Sequence, residues 1–272
     1  MTDDAERFLA LHQGPSPLLM PNPWDAGAAK LLASVGFEAL ATTSSGMAAT
    51  LGRLDGGVSR EEALAAAASI VDAVDVPVSA DLENGFDHEP AGVAETMRLA
   101  IEAGLAGCSV EDFTGRSAEA GSDIYDLGLA RERIAAAAEA AHAGPDRLVL
   151  TARAENHIHG RQDLADTIAR LQAYQEAGAD VLYAPGLIDL DDIRQVVTSV
   201  DRPVNVLVLA DGPTVAQLAE IGVRRISVGG WFAWVALGAV VEAARELREQ
   251  GTYSFTGPAA LGRDTARAAF SR

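Results

Sequence analysis

The sequence predicts a single α/β domain, a closed (β/α)8 TIM-type barrel, and three observations predict it. A short grammar of helix end, glycine and apolar strand recurs four times along the chain. Eight short apolar segments alternate with helical patterns. The length of 272 residues matches eight such units in one domain spanning residues 1–272.

The repeat occupies residues 34–43, 102–111, 176–183 and 220–228. Each copy places a glycine (Gly36, Gly104, Gly178, Gly222) where a helix C′ residue with φ > 0 is expected, since no Cβ opposes that conformation. Two further strands open alike, with Asp75-Val-Pro-Val and Asp201-Arg-Pro-Val, and proline is tolerated at a first strand position. With residues 18–20 and 148–151 added, strands are expected to start at Leu18, Ala39, Val76, Gly107, Leu148, Val181, Pro203 and Arg225. Helical patterns lie between them, at residues 61–72, 91–103, 164–177 and 214–221 among others. Apolar strands that alternate with helices imply a parallel sheet buried on both faces. The rival, an open doubly wound sheet, lacks its Gly-x-Gly-x-x-Gly after a strand. Two helical patterns follow the last strand, 235–249 and 258–269, around Gln250-Gly-Thr-Tyr253. One completes the barrel. The second, with Ala259, Leu261, Ala266, Ala269 and Phe270 as apolar positions, is expected to contact a partner subunit, so residues 235–272 form a C-terminal helical extension.

Composition supports a packed core, with 49% hydrophobic and 22% charged residues. The net charge of −18, from 39 acidic and 21 basic residues, argues against nucleic acid or an anionic membrane as partner. The lone cysteine, Cys108, permits no intramolecular disulfide and no Cys-rich metal site, and is expected as a small buried hydrophobe. An acidic opening without a signal-like pattern, and no apolar run of membrane-spanning length, lead to the expectation of a soluble cytoplasmic protein.

In such barrels chemistry sits where strands end. Strand two ends in Thr42-Thr-Ser-Ser-Gly46, strand three in Asp81-Leu-Glu-Asn-Gly85, strand four in Glu111-Asp112 and strand five in Arg153-Ala-Glu-Asn156. Strand six ends at Tyr183 and strand seven runs through Asn205. Asp81 and Glu83 are two apart and share a face on an extended chain, with Glu111 level with them on the next strand. Three converging carboxylates repel unless a cation or protons intervene. Hard oxygen ligands, few from protein, suit Mg2+, so Asp81, Glu83 and Glu111 are the candidate metal residues. Arg153 offers a bidentate fork for a carboxylate or phosphonate, and Ser44, Ser45 and Gly46 offer hydroxyl and backbone N–H groups to the same anion. Structural roles compete, because strand-end acids often cap the next helix and a lone arginine pairs with one of them. Four adjacent strands ending this way favour a chelated cation with an anion clamp opposite. Elsewhere, Asp25 reads as an N-cap, Ser59 with Glu62 as a capping box, and Asp87, His88 and Glu89 as a surface loop. His157 and His159 lack the i, i+4 spacing of helical zinc ligands and stay open as acid or base candidates.

At these positions the sequence resembles the isocitrate lyase/phosphoenolpyruvate mutase superfamily, from Pro21-Asn-Pro-Trp-Asp25 to Gly230. The resemblance rests on Thr43-Ser-Ser-Gly46, Leu51-Gly-Arg-Leu-Asp55, Ser79-Ala-Asp-Leu-Glu-Asn-Gly85, Ser109-Val-Glu-Asp112 and Thr151-Ala-Arg-Ala-Glu155. It implies a Mg2+-dependent enzyme of 2-oxo acids, a helix-swapped barrel, and assembly as a homodimer or a homotetramer of paired dimers. It further implies that Ser45 and Gly46 hold the substrate carboxylate, Asp81 sits on the metal directly or through water, and Glu111 is a second metal-shell carboxylate. Arg153 would clamp substrate, Asp55 would stand at the mouth, and Asn205 joins the substrate-binding set. Catalytic duty falls to Arg153, Glu111 and Glu83. Two departures stand out. Glu83 replaces the family's usual second Asp, which moves the ion or makes Glu83 an acid or base. The loop after strand four, residues 113–121, carries neither the lyase branch's Cys, Lys and His nor the mutase branch's Lys and Asn. The expected reaction is cleavage of a C–C bond in an oxaloacetate-like or isocitrate-like acid through a metal-chelated enolate, and decarboxylation suits the missing Cys best. The alternatives are P–C bond mutation or hydrolysis of phosphonopyruvate, a non-catalytic 2-oxo acid sensor, and a structural oligomer.

Overall fold

Short apolar strands that cannot satisfy their backbone alone pair in parallel, and the helices between them cover the outer face of the sheet. The computed structural model describes residues 2–115, 123–145 and 147–271. The elements run α1 (Thr2–Leu11), β1 (Leu18–Met20), α2 (Ala26–Val35), β2 (Leu40–Ala41), α3 (Ser44–Thr50), α4 (Arg60–Val71) and β3 (Val78–Asp81). There follow α5 (Pro90–Glu102), β4 (Gly107–Glu111), α6 (Leu127–Ala141), β5 (Val149–Arg153), α7 (Leu164–Glu176) and β6 (Val181–Tyr183). The chain closes with α8 (Leu190–Ser199), β7 (Val204–Leu207), α9 (Val215–Glu220), β8 (Arg225–Ser227), α10 (Trp231–Gln250) and α11 (Thr256–Phe270).

The strands pair in the order β1-β8-β7-β6-β5-β4-β3-β2. Between β1 and β2 the gap is bridged by Ala41 N–H donating to Pro21 O (3.1 Å) and Asn22 Nδ2 donating to Thr42 O (2.9 Å). The result is a nearly closed (β/α)8 barrel. The expected strand starts hold at Leu18, Gly107, Val181 and Arg225, and the others begin one or two residues later. Pro77 and Pro203 sit just before their strands, where their carbonyls accept from Leu40 and Leu182 while neither has an N–H to give. The four repeat glycines all have positive φ, between 79° at Gly104 and 109° at Gly178.

Two elements were not foreseen. α1 covers the N-terminal end of the barrel, where Phe8 is fully buried against Gly107; a Cβ there would stand 2.6 Å from Phe8 Cε1. α3 turns the end of strand two into a helix capped by Thr43. Local signals fared well: Asp25 Oδ1 accepts from Ala28 N at 2.6 Å, and Ser59 with Glu62 forms the capping box. Cys108 is buried, as expected. The loop of Asp87, His88 and Glu89 is tied down from below by the buried Arg133, which donates to Asp87 O (2.5 Å) and His88 O (2.7 Å).

The last helix has some cover within its own chain, while Leu261 and Phe270 on it stay exposed. α11 packs on α2 of its own chain, burying Ala269 and bringing the Phe270 ring beside Gly27. α10 buries only Ala233, and Trp234, Val235, Leu237, Val240 and Val241 are exposed along it. No described helix is long and apolar enough to cross a membrane.

Candidate active site

Asp81, Glu111 and Arg153 are the last residues of β3, β4 and β5, and the parallel register sets Glu111 opposite Arg153. Arg153 is the hub. Its NH1 meets Asp81 Oδ1 at 2.9 Å, its NH2 meets Glu111 Oε2 at 3.1 Å, and its Nε meets Glu155 Oε1 at 2.8 Å. The guanidinium also lies over the Tyr183 ring, 5.1 Å from its centroid. Burial alone would lower Arg153, but Glu111, Glu155 and Asp81 together hold it well above its ordinary range.

Asp81 is fixed from several sides. Its Oδ2 accepts from Ser44 Oγ (3.1 Å) and Ser44 N (3.4 Å), its Oδ1 from Glu83 N (3.3 Å), and its own N–H donates to Thr42 Oγ1 (2.9 Å). Ser44 is therefore turned to Asp81. Glu83 did not stay on an extended chain: β3 ends at Asp81 and Glu83 has φ 47°. Its carboxyl still lines the outer mouth with Asp55 and Glu111. Burial, then the charges of Asp81 and Asp55, push Glu83 up to about 7. Burial likewise raises Asp55, and it raises Glu111 well above the carboxylate range against the pull of Arg153.

Beneath this mouth lies a cavity of about 220 Å3, smaller than the roughly 300–1,000 Å3 of sites for larger ligands. Ser45 and Asn205 line it along with Asp81 and Arg153. Gly230 lines the cavity, whereas Gly46 lies buried behind Ser45 with its N–H donating to Thr43 Oγ1 at 3.4 Å, and close packing fixes both. A Cβ on Gly46 would fall 2.6 Å from Thr43 Cγ2 and 3.0 Å from Trp24 Cβ, and one on Gly230 would fall 2.5 Å from Ser45 Oγ. On the far wall Asn205 Nδ2 donates to Ser227 Oγ at 2.9 Å and Asn205 Oδ1 accepts from Arg225 Nε at 2.9 Å.

Among the described residues no three His, Cys, Asp or Glu side chains are spaced to ligate one ion. Arg153 stands between Asp81 and Glu111, and the turn at Glu83 separates it from the strand face. The donor chemistry nevertheless fits a hard cation. Asp55, Asp81, Glu83, Glu111 and Glu155 gather about one guanidinium, and burial first, with neighbouring carboxylate charge after it, raises Asp55, Glu83 and Glu111. Mg2+ needs only one or two protein carboxylates, the rest being water or substrate.

Glu155 and Arg225 were given no role by sequence reasoning. The signal for Glu155 was its place two residues past Arg153; for Arg225, a charge at the start of an apolar strand. Glu155 is set by Asp112, whose Oδ1 accepts from Glu155 N (2.8 Å) and whose Oδ2 accepts from Arg170 (2.9 Å) and Tyr174 (2.5 Å). His159 stacks flat on Phe113, centroids 3.9 Å apart, with its Nε2 3.6 Å from Glu155 Oε2. His157 is part-buried, with its Nε2 unbonded. Of the loop after β4, residues 116–121 lie outside the described residues.

Known proteins are similar to this chain over most of its length. A family model described as phosphoenolpyruvate phosphomutase matches residues 8–248. An uncharacterized protein of Mycobacterium tuberculosis is 32% identical over 89% of this chain and 89% of its own length. Oxaloacetate decarboxylase of Pseudomonas savastanoi is 29% identical over 89% of this chain and 84% of its own. A crystal structure from Burkholderia cenocepacia, provisionally designated a lyase/mutase, superposes with a TM-score of 0.93 at 53% identity, covering 98% of this chain and 96% of that one.

Proposed function

The chain belongs to the phosphoenolpyruvate mutase/isocitrate lyase superfamily, and on that premise we propose that it is a Mg2+-dependent lyase breaking a carbon–carbon bond of a small 2-oxo or 2-hydroxy carboxylic acid. One observation carries the reading: an excess of carboxylates around a single guanidinium at the strand ends, above a cavity of about 220 Å3. The relative named oxaloacetate decarboxylase supports C–C chemistry.

Asp81 would hold the Mg2+, directly or through water, with Glu111 as a further carboxylate of its shell and Glu83 either joining that shell or serving as acid or base. When bound, the ion supplies Lewis-acid stabilisation of charge that develops on the substrate's 2-oxygen. The chain's own residues do the rest. Ser45 and Gly46 take the substrate carboxylate, with Asp55 at the mouth and Asn205 on the opposite wall. Arg153, preorganised by Glu111 and Glu155, presents its fork to the oxygen that gains charge. In decarboxylation the electron pair of the broken C–C bond passes into an enolate as CO2 leaves. In retro-aldol cleavage of a 2-hydroxy acid the hydroxyl proton passes to an ionised carboxylate at the mouth, such as Glu83, as the C=O forms, and the electron pair of the broken bond passes into the enolate of the departing acid. A carboxyl that burial raises and that stays off the ion returns a proton to that carbon, and Glu83, which the turn after β3 takes off the strand face, is so placed. We assign the exposed face of α10 to a second copy of this chain, in a homodimer or homotetramer.

Calorimetric titration with oxalate, a flat mimic of a pyruvate enolate, tests the site. Binding is expected only with Mg2+, and 2-oxo and 2-hydroxy acids should then release pyruvate or a related oxo acid. Phosphate release from phosphonopyruvate would move the assignment to P–C chemistry. Oxalate binding with neither turnover would leave a sensor. No oxalate binding in either condition would remove the enzyme reading.

A further inference from the structure

Arg225 begins β8 on the inside of the barrel and is only 3% exposed. It lines the inner cavity, the same one that Arg153 lines nearer the mouth. The two guanidiniums have opposite surroundings. Arg153 meets three carboxylates. Arg225 donates through Nε to Asn205 Oδ1 (2.9 Å) and through NH2 to Thr151 Oγ1 (3.1 Å), and its NH1 lies 3.4 Å from His12 Nε2. All three partners are neutral, because burial, reinforced by Arg225 itself, pushes His12 down to about 3. Among the described residues no carboxylate pairs with Arg225; the charged neighbours that bear on it are Tyr183 and Arg153. Burial, opposed by Tyr183 and aided by Arg153, pushes it down to about 9.

A buried cation without a counter-ion is costly in a folded protein, and burial of this kind persists where a ligand supplies the missing charge. Guanidinium has five N–H donors, and the bonds above use three of them. We infer that Arg225 is the receptor for a second anionic group of the substrate: one carboxylate lies at Ser45 and Gly46, and the far anionic group meets Arg225 at the cavity floor. The near end of this arrangement rests on the proposed function; the far end rests on Arg225 alone. An ion pair stabilises the very charge that loss of CO2 discharges, so it raises the barrier to that loss. The group on Arg225 is then one that the reaction retains.

Malate and its C4 monoamide, which has the same shape and no far charge, test this on the wild-type chain with Mg2+ present. Calorimetry should show malate binding about 10-fold tighter or more, as hydrogen bonds to a charged group predict. In Arg225→Met the preference should fall to about twofold or less while oxalate, which has no far group, keeps its affinity. Equal binding of malate and the monoamide by the wild type overturns the inference, and that result needs no variant. Wild-type binding of malate over the monoamide without any oxalate binding would retain the Arg225 subsite and remove the enolate reading. Failure of all three ligands removes both.

Discussion

Arg153 and Arg225 are the same residue type on one cavity, and their surroundings set different consequences for substitution. Arg153 spreads three N–H directions over Asp81, Glu111 and Glu155. A lysine keeps the charge but has no planar fork, so Arg153→Lys should lower kcat/KM by about 100-fold or more. Arg153→Met leaves three carboxylates uncompensated and should cost about 3–5 kcal/mol in urea unfolding. Near-wild-type activity of the lysine variant would show that Arg153 only neutralises its neighbours. His12 gives a pH prediction. Its pKa is about 3 in the folded chain against 6.5 unfolded, so the unfolded state binds more protons between those values. The stability linked to His12 is full above pH 6.5 and is lost as pH falls toward 3, by up to about 1.4 kcal/mol per unit. Urea unfolding of wild type and His12→Gln from neutral to mildly acid pH should show their difference shrinking; a constant difference would defeat the assignment. At this scale the sequence revealed polar groups that end apolar strands, which is why Asp81, Glu111 and Arg153 were legible. Arg225 was not, because it sits in an Arg224-Arg225 doublet opening a three-residue strand. Arg224 reaches outward to Gly14 O (3.1 Å) while Arg225 turns inward, and no pattern that short fixes which is which.

Elements were legible where the signal is local or repeated. A capping residue, a glycine after a helix and an apolar run each act within a few residues, so α2, α4 and the strands lay close to expectation. α3 did not, because a seven-residue helix that opens Ser-Ser-Gly has no apolar period to read. It forms because the barrel supplies its contacts. Thr43 caps it, Ser44 is bonded to Asp81, and Gly46 lies against Trp24 with no room for a Cβ. Gly46→Ala must therefore move the start of α3 or Trp24, at a cost of about 1–3 kcal/mol in unfolding measurements. Since Ser45 and the Gly46 N–H move with it, Mg2+-dependent oxalate binding should weaken in the same variant. Loss of stability without loss of oxalate affinity would place the carboxylate site elsewhere on the rim.

The whole molecule combines a net charge of −18 with a helix that its own barrel leaves uncovered. The barrel was foreseen from its repeat, but the exposed apolar stripe of α10 was not, because helical periodicity does not say what a face meets. Trp234, Leu237 and Val241, at i, i+3 and i+7, form an exposed stripe on α10, with Val240 beside it. Apolar patches of that kind on a folded surface mark association sites, and a second copy is the occupant proposed above. Association must overcome the repulsion of two acidic chains, so it should strengthen with salt as that repulsion is screened. In sedimentation velocity the wild type is expected as a dimer or tetramer, and Leu237→Glu with Val241→Glu, which adds charge to the stripe, as a monomer. A monomeric wild type at both low and high salt would remove the assembly. The consequence reaches the cavity, because α10 starts directly after Gly230, and Gly230 abuts Ser45. If the partner holds α10 in place, oxalate affinity should fall with dilution in step with dissociation; affinity independent of concentration would mean that the barrel completes its site alone.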